Sequence, residues 1–73
     1  MKRTIGFMED MIHDNGGTLY FNDKTMLKLE NGKYRMFVGD DSEGVKIPVE
    51  QAFRKFDANF DKIIYVEESY KEG

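Results

Sequence analysis

The chain has 73 residues, with 14 carboxylates against 11 lysines and arginines, one histidine and no cysteine, for a net charge of −3. This composition excludes a disulfide framework and a thiolate metal site, and no apolar run approaches the roughly 18 residues of a membrane span. A domain this small buries only about 60% of its unfolded surface, which leaves a stability margin of about 4–11 kcal/mol and little room for a deep catalytic cleft.

Ile5, Met8 and Ile12 recur at helical spacing, with Phe7 and Met11 beside them. Thr4 can cap the start, and Asn15-Gly16-Gly17 stops the helix. Gly6 weakens it, so a short strand over Lys2 to Phe7 is the competing reading. These opening residues reach Glu9 and Asp10 too soon for a secretory leader. Thr18 to Phe21 then reads as a strand turning through Asn22-Asp23-Lys24.

Asn31-Gly32 sits between two alternating runs and signals a hairpin with a type I′ turn, which needs positive φ at both residues. It pairs Glu30 with Lys33, Leu29 with Tyr34, Lys28 with Arg35, Leu27 with Met36 and Met26 with Phe37. One face is then apolar and the other mixed. Val45 to Ile47 adds a short strand after the loop from Gly39 to Gly44. Pro48 suits the first turn of a helix, whose stripe is Val49, Ala52, Phe53, Phe56 and Phe60. Ile63 to Val66 reads as a buried final strand, and Ser69 to Gly73 as a frayed tail. The expected fold is a single α+β domain over residues 1–73, in the order α-β-β-β-(β)-α-β. Its sheet is antiparallel-rich, with two helices on one face.

The expectation for chemistry is no enzyme and no cofactor. Ser42 and Ser69 have no base nearby in sequence, and no glycine-rich phosphate loop is present. Asp40-Asp41 lies on an exposed loop, a poor setting for general acid–base work. His13 follows Glu9 and Asp10 at a spacing that could serve a metal. It reads instead as a solvent-facing histidine favoured by the helix C-terminus.

Two segments carry a resemblance. Ala52 to Glu68 resembles a degenerate EF-hand. Asp57, Asn59 and Asp61 match loop positions one, three and five, Ile64 matches eight, and Glu68 matches twelve. Lys62 stands where the turn wants glycine. The likeness implies calcium; the competing expectation is a helix ending near Asp57, a turn and a strand. The run Lys33 to Val38 resembles the RNA-recognition-motif signature at Lys33, Phe37 and Val38. Arg35 stands where that signature has a stacking aromatic. With Lys28 and with Tyr20 and Tyr34 near, it suggests a single-stranded nucleic-acid binder using Lys28, Lys33, Arg35 and Phe37.

The leading expectation comes from the acids. From Gly39 onward there are nine carboxylates against five cations. Should Asp40, Asp41, Glu43, Asp57, Asp61, Glu67 and Glu68 gather on one side, they form a surface that imitates a phosphate backbone. It would then dock on a basic host protein, such as one that binds nucleic acid, and compete with its ligand. In size and lack of motifs the chain resembles the small inhibitors and accessory proteins of phages and mobile elements. A cytoplasmic monomer or homodimer is expected, since cysteine is absent and a free sheet edge could pair.

Overall fold

The computed structural model describes residues 2–64. Helix α1 spans Ile5–Asp14. Strands β1 (Thr18–Phe21), β2 (Thr25–Glu30), β3 (Lys33–Val38) and β4 (Val45–Ile47) follow. Then come helix α2 (Val49–Ala58), a single 3-10 turn (Phe60–Lys62) and strand β5 (Ile63–Ile64). The fold is α+β in the expected order, and the N-terminal segment is helix. The cause is local: the Thr4 backbone is extended and its Oγ1 accepts the Phe7 N–H at 3.1 Å, satisfying a donor that a helix start leaves orphaned. At the other end the Gly17 N–H donates to the Ile12 carbonyl at 2.7 Å. Tyr65, Val66 and the tail from Ser69 to Gly73 lie outside the described residues.

The five described strands form one sheet in the order β4-β3-β2-β1-β5, with every pairing antiparallel. Asn31 and Gly32 have φ of 53° and 76°, the mirror-image turn whose twist matches the strands it joins. That turn sets the β2–β3 register as read from the sequence, from Glu30↔Lys33 to Met26↔Phe37, and adds Thr25↔Val38. Strand β5 returns to β1 through Tyr20↔Ile64 and Phe21↔Ile63. Since β4 and β5 occupy opposite edges, α2 must cross the whole sheet to connect them.

Both helices pack on one face. Met8 and Ile12 of α1 and Ala52 and Phe56 of α2 meet Leu19, Phe21, Leu27 and Tyr34, all buried. The Phe56 ring stands edge-on to Phe60 at 5.4 Å and to Phe7 at 6.0 Å between centroids. Such pairs add about 0.5–1.5 kcal/mol beyond area burial. Tyr34 brings a hydroxyl into this core, and it donates to Glu9 Oε2 at 2.9 Å. Burial first, and then the bond to the carboxylate, hold the phenol well above its ordinary pKa of 10.0. The tyrosine therefore stays protonated and ties β3 to α1. Because strand residues alternate faces, the residues between these core positions point to the opposite side of the sheet, which neither described helix covers.

Candidate functional site

Two rows of side chains cross the face turned away from the helices. In the first, Lys46, Arg35 and Lys28 stand side by side on β4, β3 and β2, through the pairs Arg35↔Lys46 and Lys28↔Arg35. Lys33 and Glu30 pair with each other two residues nearer the hairpin turn. These five residues and Asn31 line a basin of about 200 Å³, so four cations share it with one carboxylate. Residues directly opposite across a sheet have Cβ atoms roughly 4.5–5.5 Å apart, and like charges there destabilise it. Folding gains nothing from two consecutive like-charged pairs. Arrangements that oppose stability are expected at functional or strained sites, which makes this row a candidate site.

The basin's own lining is net positive, with Lys28, Lys33, Arg35 and Lys46 against Glu30. Elsewhere in residues 2–64 six cations stand against ten carboxylates. Charges more than about 8 Å apart across solvent are largely screened at physiological salt.

The second row is Phe37, Met26, Tyr20 and Ile64, on β3, β2, β1 and β5. Here the structure corrects the sequence reading of Phe37 as a ligand-facing aromatic: it is only 8% exposed. Continuing the β3–β4 register past Met36↔Val45 sets Phe37 opposite Gly44, and the ring lies against that glycine. A Cβ built on Gly44 would fall 2.7 Å from two atoms of the ring. Tyr34 is likewise removed from this face, since it lies in the core. The aromatic that solvent does reach is Tyr20, 41% exposed beside Ile64 at 47%. A hollow of about 430 Å³ opens over this row, with Lys24, Gly39 and Asp40 at its rim. The sequence reading also missed Lys46. Its only signal was the polar residue in Val45-Lys46-Ile47, a pattern too short to fix a face before pairing is known.

The acidic residues occupy a different place. Asp40, Asp41 and Glu43 are exposed on the loop between β3 and β4, where the Arg35 Nη1 donates to the Glu43 carbonyl at 3.3 Å. Asp57 lies in the last turn of α2 and meets Arg3 Nε at 2.9 Å, and that guanidinium sits 4.2 Å above the Phe60 ring. Asp61 lies in the 3-10 turn, which the Asn22 N–H holds to β1 through the Lys62 carbonyl at 2.8 Å. Strand directions put these five acids at the sheet end opposite the Asn31-Gly32 turn. Arg3, Lys24, Lys55 and Lys62 are interleaved with them there, so the end is mixed in charge. Glu67 and Glu68 lie outside the described residues. The EF-hand likeness meets a different local structure. Asp57 is taken by Arg3, and the Asn59 side chain donates to the Lys55 carbonyl at 3.0 Å. A 3-10 turn and a strand follow. His13 is exposed at the end of α1.

One ion pair at this end gives a pH prediction. Lys55 Nζ lies 2.8 Å from Asp23 Oδ2, and the Thr25 N–H and hydroxyl both donate to Asp23 Oδ1. The Lys55 bond first, and then Thr25, lower the Asp23 pKa from 3.8 to about 2. A carboxylate depressed in the folded state contributes stability above its unfolded pKa and loses it as pH falls through the folded value. The Asp23 side chain is 40% exposed, so solvent screening limits the contribution to about 1 kcal/mol or less. Denaturant midpoints should therefore favour wild type over Asp23→Asn near neutral pH. The gap should close between pH 3.8 and about 2. A gap unchanged across that window would show that the carboxylate charge is not what matters.

Among the described residues no helix is long and apolar enough to cross a membrane, and no group of three or more His, Asp or Glu side chains is placed to hold a metal ion. Comparison with protein families, with characterised proteins and with solved structures finds no match to this chain.

Proposed function

We propose that this protein is a non-enzymatic binding module whose sheet face turned away from the helices holds the phosphate backbone of single-stranded nucleic acid. The observation that carries the reading is the unbroken cationic row Lys28, Arg35 and Lys46 across three adjacent strands, backed by Lys33. The sheet tolerates these like charges at its own expense, and a polyanion laid across them removes the repulsion. Phosphate contacts dominate nucleic-acid affinity and make it steeply salt-dependent.

The test is a titration of wild type with oligothymidylate over a range of salt. Three or four cations on a single strand predict a log–log salt slope of about −2 to −3. The variant Lys28→Glu, Arg35→Glu, Lys46→Glu should lose about 100-fold in affinity and flatten that slope. Its circular dichroism should stay that of wild type, since none of the three side chains joins the core. Binding that is absent, or indifferent to salt, would remove the reading.

A second reading rests on a separate observation: Asp40, Asp41 and Glu43 stand exposed together on one loop. Through that loop the chain would dock on a basic protein and compete with nucleic acid, as a small cytoplasmic inhibitor of phage type does. The same titration separates the two. This reading calls for capture by an immobilised basic protein, lost on reversing the three acids to Lys, with no oligonucleotide binding.

A further inference from the structure

We infer that Tyr20 is the stacking platform for an unpaired base, and that the bound strand therefore runs across the β-strands, with phosphates on one row and bases on the next. This rests on the phosphate-binding reading above and adds a base site to it. Tyr20 lies in the row immediately beside the cations: on β1 it is two residues from Thr18, which pairs with Lys28. Two residues of strand rise separate the rows by roughly 6.7 Å, commensurate with the reach from a phosphate to its own base. Met26 and Ile64 flank Tyr20 in the register. These three with Phe37 give the adjoining hollow an apolar wall, and the hollow stays open to solvent.

The chemistry of the two rows is what an unpaired nucleotide presents. It has an anionic group at one end and a flat apolar π-face at the other, whereas a free phosphate or an acidic peptide lacks the second. Phe37 cannot take the role because its ring is buried against Gly44. Tyr20 is thus the one aromatic of this row that a base can reach. Sheet platforms of about four strands stack about two or three bases, and the second row spans four strands, so the footprint is short.

The experiment compares intact oligothymidylate with an abasic oligomer of the same length, against wild type, Tyr20→Ala and Tyr20→Phe. Base–aromatic stacking predicts that Tyr20→Ala weakens the intact oligomer about tenfold or more. Tyr20→Phe should remain within about twofold of wild type. The abasic oligomer should bind wild type more weakly than the intact one, with the salt dependence kept and no response to Tyr20→Ala. A dinucleotide and a tetranucleotide should show most of the base-dependent gain already at the shorter lengths. Equal binding of intact and abasic oligomers, or of polyglutamate and oligothymidylate, with Tyr20→Ala silent, would overturn the base site while leaving the cationic row standing. Failure of every oligomer to bind would instead remove the phosphate reading beneath it.

Discussion

Phe56→Ala is expected to unfold much of the population at physiological temperature. Phe56 has no solvent exposure and is among the largest fully buried side chains. Its ring touches Phe7, Phe53 and Phe60 within about 6 Å between centroids. Truncating such a residue removes its transfer free energy and leaves a cavity, together about 3–5 kcal/mol. The whole domain has about 4–11 kcal/mol to lose. At this chain length each kcal/mol moves the melting temperature by about 4–8 °C, so the midpoint should fall by more than about 12 °C. Phe7→Ala is the control. Phe7 is 41% exposed, and its loss should cost well under half as much. A Phe56→Ala protein that melts within a few degrees of wild type would mean that the helices do not pack on the sheet as described.

Gly44→Ala comes next in size. Gly44 has φ +75°, and the added Cβ would meet two atoms of the Phe37 ring at 2.7 Å and a third at 3.1 Å. Left-handed backbone costs an alanine about 1–2 kcal/mol. Displacing the ring forfeits a further share of the roughly 1.5–3 kcal/mol gained by burying a phenylalanine. The sum is about 2–4 kcal/mol. Gly39→Ala separates the two causes, because Gly39 also has positive φ, +60°, yet has nothing within 4 Å of an added Cβ. Equilibrium denaturation should place Gly44→Ala clearly below Gly39→Ala. The double variant Phe37→Ala, Gly44→Ala should cost less than the two single changes added together, since the clash exists only when ring and methyl are both present. Equal costs for the two glycine variants would mean that the ring does not rest on Gly44.

Much of the fold was legible because its signals are local. Asn31-Gly32 admits few conformations between two alternating runs, and the turn it selects fixes the register of β2 against β3 without reference to the rest of the chain. Thr4 and Gly17 likewise bracket α1 by hydrogen bonds to residues within one or two turns. The site was harder to read because its determinants lie between strands. Phe37 looked like a surface aromatic until pairing placed a glycine opposite it. Lys46 joined the cationic row only once β4 was docked in register on β3. The acids posed the converse problem. Asp40, Asp41, Glu43, Asp57 and Asp61 do reach the same end of the sheet. The sequence could not show that Arg3, Lys24, Lys55 and Lys62 arrive there too, or that Arg3 would take Asp57.

The sheet is one residue thick, and its strands send alternate positions to opposite sides. Tyr20, Lys28 and Arg35 can therefore be exchanged without touching Leu19, Leu27 or Tyr34, their immediate neighbours in the chain. Residues of the proposed binding face and residues of the core thus alternate along the same strands. A descendant sequence could rewrite the first almost freely while the second is preserved, and relatives of this chain could diverge in what they hold long before they diverge in shape.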